Sequence, residues 1–214
     1  MKNKKYNNEF IFAVIFTIIL IITAIYYFVV RDEEKLFRIG LTFVTIVGAY
    51  LLYIRSFLKG SKTIYYINMT FIFLSMYLAS VWNFYSITNY DKFLHLLSGS
   101  VIAIIGYVLF LYLTNEKSRK DINPLASVIF VILFATAVAG AWEIWEFTTD
   151  SLFGLHAQNG SLNDTMWDII CGTSVGVITA IPIYIHSKGK NIKVIEYIIR
   201  DVEKNRKKIL WDKS

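Results

Sequence analysis

Proline and charge are both scarce in this chain. Only 2 of its 214 residues are proline, and charged residues make up 18%. A soluble domain usually carries about 25% charged residues. With so few prolines, long helices run without the breaks that proline imposes. A single cysteine, Cys171, excludes an intramolecular disulfide. It falls inside an apolar block, where a small polarizable packing residue is the expected role. No glycine-rich nucleotide loop is present, and no Cys/His spacing of the zinc-finger kind.

What is plentiful is apolar sequence. Hydrophobic residues make up 56% of the chain, and the mean hydropathy is positive. They come in six blocks: Phe10 to Val30, Ile39 to Phe57, Ile64 to Tyr85, Phe93 to Leu113, Leu125 to Trp142 and Asp168 to Ile185. Each approaches the roughly 17–25 residues that a helix needs to cross the hydrocarbon core. The expected fold is all-α, a polytopic membrane protein with six transmembrane helices. The first block begins like a signal peptide, but its apolar run is long and Val29-Val30-Arg31-Asp32 follows it in place of a cleavage site. It reads as a retained helix.

Orientation follows from lysine and arginine in the short loops. The N-terminus, the second and fourth loops and the C-terminal tail hold most of the 22 basic residues. Arg31, Lys35, Arg38 and Lys92 fall on the other face, together with Asp32, Glu33, Glu34 and the motif carboxylates, 9 of the 16 acidic residues. Both termini are therefore expected to be cytoplasmic. Trp82, Trp142, Trp145 and Trp167 fall at the expected outer helix ends, where indole rings favour the interface.

The domain reading is a transmembrane domain over 1–189 and a basic tail over 190–214. In the tail, Ile192, Ile195, Ile199 and Val202 recur at helical spacing among Lys193, Arg200, Lys204, Arg206, Lys207 and Lys208. Two readings stand: an amphipathic helix on an anionic leaflet, or a solvated tail that only fixes topology. Membrane lipids are the expected partners. The net charge of +6 requires no nucleic acid.

The chemistry-bearing residues gather at the outer ends of three blocks. Asp91 and His95 are four apart and share one helical face. Glu143, Glu146 and Asp150 form one stripe if the fifth helix extends that far, and Asp164 and Asp168 are again four apart. Ionisable groups at the edge of an apolar span are costly there, so they are expected to face one another. The crowding must be relieved by shared protons or by a divalent cation, for which Asp91, His95, Glu143, Glu146 and Asp168 are the candidate ligands. A purely structural polar network is the alternative. Gly172 and Gly176 form a GxxxG, and Gly99 with Ala103 a small-xxx-small pair, which let helices approach closely. The segment between the fifth and sixth blocks, roughly Phe147 to Met166, is long enough for a lid or binding loop and carries His156, Gln158 and Asn159.

DKFLHLLSG, WEIWEF and NDTMWDIICGTSVG, in this order, resemble the YjdF-type family of small bacterial membrane proteins. The likeness covers about Tyr90 to Val177, and its motif positions are Asp91, His95, Glu143, Glu146, Asp164, Thr165 and Asp168. It implies a multi-pass protein of the bacterial cell membrane. A looser likeness reaches VanZ-like proteins, from which the chain departs at Gly172, where they tend to carry Asn. By analogy the wider set suggests chemistry on lipid head groups or lipid-linked sugars. The leading expectation is an exofacial enzyme that hydrolyses or exchanges such groups. His95, Asp91, Glu143, Glu146 and Asp168 would carry the chemistry, and Asp164, Thr165 and Lys92 would shape the head-group pocket. An ion- or proton-coupled transporter and a non-catalytic scaffold are the alternatives.

Overall fold

The computed structural model describes residues 8–56, 58, 61–114, 121–154, 158 and 161–200. Among these the fold is all helical, and six helices are long and apolar enough to cross a membrane. They are α1 (Asn8–Val30), α2 (Glu33–Arg55), α3 (Lys62–Ile72, continued through Val81), α4 (Tyr90–Leu113), α5 (Pro124–Phe153) and α6 (Leu162–Ser187). The apolar side chains left exposed, such as Ile22, Phe28, Val44, Leu133 and Ile178, are spread along these helices. That is the surface a hydrocarbon solvent accepts.

The chain divides into two compact units, residues 1–87 and 88–214. In the first, α1, α2 and α3 close on a core of Phe16, Leu20, Ile39, Ile46, Tyr65, Met69, Tyr77 and Val81. Polar contacts cross inside it: Thr23 Oγ1 lies 2.9 Å from Tyr77 OH, and Tyr65 OH donates to the Glu9 carbonyl at 2.8 Å. Asp32 caps α2 by accepting from the Lys35 amide. From Phe73 onward α3 widens so that each amide reaches the carbonyl five residues back, as Trp82 N does to Tyr77 O. The apolar pattern alone does not distinguish this wide winding from an ordinary helix. Two short elements, the turn Phe84–Ser86 and Asn89 at φ 64, then lead into α4.

In the second unit α4, α5 and α6 pack against one another, with α5 antiparallel to the other two. Small residues set the spacing. A Cβ at Gly99 would run into the carbonyl of Gly172, and one at Gly176 would press on Ala135 Cβ at 2.7 Å. Gly172 itself faces Ala139 Cβ and the carbonyl of His95. Both small-residue motifs thus lie at helix–helix contacts, just below the polar residues.

Several boundaries differ from the sequence expectation: α2 begins at Glu33, six residues before Ile39, so Lys35 and Arg38 are helical and not in a loop, and α3 ends at Val81, four residues before Tyr85. Helix α5 runs eleven residues past Trp142, to Phe153, and α6 begins at Leu162, six residues before Asp168. The long loop expected over 147–166 shrinks to residues 154–161, with Gly154 ending α5 at φ 65 and Ser161 capping α6. Polar residues on α5 and α6 masked these ends, because an apolar count stops where a helix leaves the hydrocarbon. His156 and Asn159 lie outside the described residues.

The tail also differs. Residues 193–200 are helical, and Ile195 and Ile198 are buried. Ile192, Ile195 and Ile199 pack on Ala103, Tyr107, Leu111, Val131, Ala180 and Ile183. The described part of the stripe, read as lying on a leaflet or as a solvated tail, is instead taken up by the helix bundle. Glu196 Oε1 lies 2.9 Å from His186 Nε2, whose Nδ1 is 3.2 Å from Tyr107 OH. Val202 and the basic residues after Arg200 lie outside the described residues.

Candidate functional site

The direction of the three helices brings the polar residues together. The N-terminal ends of α4 and α6 and the C-terminal end of α5 meet at one end of the second unit. Asp91, Lys92 and His95 come from the first turns of α4, Asp164 and Asp168 from the first turns of α6, and Glu143 and Glu146 from the late turns of α5.

Lys92 is the hub. Its ammonium donates to Asp164 Oδ1 at 2.6 Å and to Asp168 Oδ1 at 2.7 Å, and lies 3.5 Å from Asp91 Oδ2. One cation thus ties α4 to α6 through two carboxylates, with Asp91 of its own helix beside it. Charge-assisted hydrogen bonds of this length are the stronger kind. From sequence, Lys92 was indistinguishable from an interface lysine; only the α4–α6 register reveals its place.

His95 sits beneath. Its Nε2 is 3.7 Å from Asp91 Oδ1 and 3.9 Å from Asp168 Oδ1. These distances exceed a hydrogen bond, so neither carboxylate directly orients the ring through Nε2. One ligand atom from each of Asp91, His95 and Asp168 lies within 4.8 Å of the other two. His95 and Asp168 are buried, whereas Asp91 and Lys92 are about a quarter exposed. The site is closed below and open at its rim.

Glu143 departs from polar pairing at both carboxylate oxygens, whereas Glu9 Oε2, Ser61 Oγ and Thr173 Oγ1 are single unsatisfied atoms. Its side chain is buried, and neither carboxylate oxygen has a hydrogen-bond partner among the described residues. Buried polar atoms are nearly always satisfied, so a carboxylate with two open oxygens points to a missing partner. Thr165 and Gln158 lie beside it, without forming a well-shaped hydrogen bond, and Asp168 and Asp91 are its charged neighbours.

The remaining residues frame this group. Trp142 Nε1 donates to Glu146 Oε1 at 2.7 Å, so a tryptophan expected only as an interface anchor also fixes a site carboxylate. All four tryptophans at helix ends are exposed, as interface rings should be. Asp150 turns away: its Oδ2 accepts from the Gln158 amide at 3.0 Å, and Gln158 Nε2 donates to the Glu143 carbonyl at 3.2 Å. Asp150 therefore shapes the α5–α6 connection, a role that spacing alone did not disclose. Cys171 is half-buried and unpaired by disulfide. A separate cavity of about 200 Å³ opens at the opposite end of the unit, lined by Tyr107, Ser127, His186 and Ile199, away from the carboxylates.

Residues 11–189 match the model of the family described as "Predicted membrane protein (DUF2238)". The chain belongs to this family. It is also similar to an uncharacterised protein of Thermotoga maritima, 33% identical over 100 residues, which are 46% of this chain and 50% of that protein. The chain thus spans about half the length of the curated relative it matches. No solved structure matches it.

Proposed function

We propose that this family member is a multi-pass membrane enzyme that hydrolyses a phosphoester of a lipid head group, with the site on the exofacial side and both termini cytoplasmic. The observation that carries the reading is the unpartnered, buried Glu143 carboxylate beside His95, Asp91 and Asp168 at a helix-bundle end. Leaving such a group unsatisfied costs free energy, and sites that retain that cost are commonly functional. The depth suits a lipid, since the residues stand where apolar helices end and exposed tryptophans begin.

In this reading Glu143 takes the proton from a water whose oxygen adds to phosphorus. The bond from phosphorus to the head-group alcohol breaks, and Glu146 returns a proton to the departing oxygen. Asp91, His95 and Asp168 form the seat below the reacting group. Lys92, Asp164 and Thr165 stand at the open rim, where Lys92 suits a phosphate oxygen. The resemblance to VanZ-like proteins adds only an analogy for lipid-linked substrates.

Comparative lipidomics of cells expressing the wild type, His95→Ala and Glu143→Gln tests this, with membrane insertion verified for each. A lipid species altered only by the wild type supports the reading. Equal lipid profiles for wild type and both variants refute it. Ion flux into proteoliposomes that depends on Glu143, without any lipid change, would establish the carrier alternative.

A further inference from the structure

We infer that Asp91, His95 and Asp168 bind one divalent first-row transition-metal ion, zinc or manganese, with Glu143 closing the site from α5. The inference deepens the hydrolase reading, and its catalytic meaning rests on that reading. The first support is spacing. His95 Nε2 lies 3.7 and 3.9 Å from the two carboxylate oxygens, too far for hydrogen bonds. A point equidistant from the three ligand atoms lies roughly 2.1 to 2.5 Å from each, given those edges and the 4.8 Å limit on the third. That range overlaps the nitrogen and oxygen ligand distances of zinc, about 2.0–2.2 Å.

The second support is Glu143. It contributes two buried oxygens with no hydrogen-bond partner among the described residues, and its charged neighbours are two of the three ligands. The third is charge. Asp91, Asp164 and Asp168 surround one ammonium, Glu143 and Glu146 of α5 add charge beside these aspartates, and an anionic phosphoester would be repelled without further positive charge. Lys92 touches one corner of the triangle, donating to Asp168 Oδ1 at 2.7 Å, and leaves Asp91 Oδ1 and His95 Nε2 open, since it contacts Asp91 through Oδ2. The donor set of one imidazole and several carboxylates suits zinc or manganese better than calcium or magnesium, which favour all-oxygen sites.

The test uses the full chain, purified in nanodiscs, stripped with chelator and reloaded with Zn²⁺ or Mn²⁺. Bound metal is counted by elemental analysis and affinity is measured by equilibrium dialysis. One ion per chain is expected for the wild type and for Glu34→Gln, an exposed carboxylate in the other unit. His95→Gln and Asp91→Asn should each weaken binding by more than about tenfold, the lower bound for losing even an outer-shell partner. Asp91 is the safer variant, because it stands at the partly open rim and its loss leaves the Lys92–Asp168 pair intact. Failure of the wild type to retain stoichiometric metal, or equal retention by His95→Gln and Asp91→Asn, overturns the site. Lipid turnover is read separately. Metal bound without any lipid change removes the hydrolase reading and leaves the ion site. Turnover that persists in chelator, with no metal retained, does the reverse.

Discussion

Replacing Lys92 by methionine removes the cation that ties α4 to α6 while keeping most of the apolar stem. The loss can be worked from the contacts. Two charge-assisted hydrogen bonds, at 2.6 and 2.7 Å, disappear, and Asp168, only 2% exposed, is left without its cation partner. Stranding one member of a buried ion pair costs about 3–5 kcal/mol. Lys92 and Asp164 are 24% and 21% exposed, so water recovers part of this, and about 2–4 kcal/mol is expected. The assay is reversible unfolding by a denaturing detergent titrated into mixed micelles, followed by tryptophan fluorescence. Lys92→Met should unfold at clearly lower denaturing fraction than the wild type. The double variant Lys92→Met with Asp168→Asn should recover much of the loss, because the stranded charge has gone. Equal stability of Lys92→Met and wild type would refute the claim that this ammonium holds the two helices. A double variant weaker than the sum of its parts would refute the stranded-charge account.

Gly99→Ala places a methyl group against the Gly172 carbonyl and should cost about 1–3 kcal/mol in the same titration, whereas Gly48→Ala, which meets nothing within 4 Å, should cost little. Trp142→Phe removes the N–H that holds Glu146 and should lower lipid turnover several-fold while leaving thermal stability nearly unchanged, since the indole is half exposed; unchanged turnover would remove Glu146 from the reaction. Ile198→Asp places a charge where the tail helix packs, so trypsin should cut at Lys193 and Arg200 faster than in the wild type; equal cleavage rates would show that the tail is not held by that contact.

The helices were legible because lipid-spanning segments must be long and apolar, and that constraint is written into composition. Each block coincides with an observed helix over most of its length, though the third runs four residues past the end of α3. Their ends were less legible. Glu143, Glu146 and Asp150 extend α5 as regular helix beyond its apolar part, and hydropathy has no means of separating a polar helical turn from a loop. The wide winding of α3 after Phe73 left no trace, as its residues pattern like those of any buried helix. In the site, the spacing of Asp91 with His95 and of Asp164 with Asp168 announced paired faces. It did not announce which carboxylates Lys92 would meet, because that depends on how α4 and α6 are shifted along each other. The same holds for Asp150, whose partner is an amide eight residues away, and for Trp142, whose position at a helix end accounts for anchoring but not for its bond to Glu146.

The close packing below the site explains how so many carboxylates can be held at a helix-bundle end. Gly172 lies against both Ala139 and the carbonyl of His95, and Gly99 lies against Gly172, so α4, α5 and α6 are nearest one turn below the polar residues. Small residues there bring the backbones together, and dispersion over the contact offsets the electrostatic cost above it. The same contact fixes the lateral positions of His95, Glu143 and Asp168, since each stands one turn from a tightly packed small residue, and Asp91 follows one turn beyond His95. A site built this way is preorganised by backbone contact below as well as by the Lys92 ion pairs at its rim. That accounts for two features that otherwise conflict: ligand atoms spaced too widely to bond one another, and a buried glutamate held in place with both oxygens open. Widening the packing at Gly99 should therefore disturb the polar group even though the methyl touches none of its side chains.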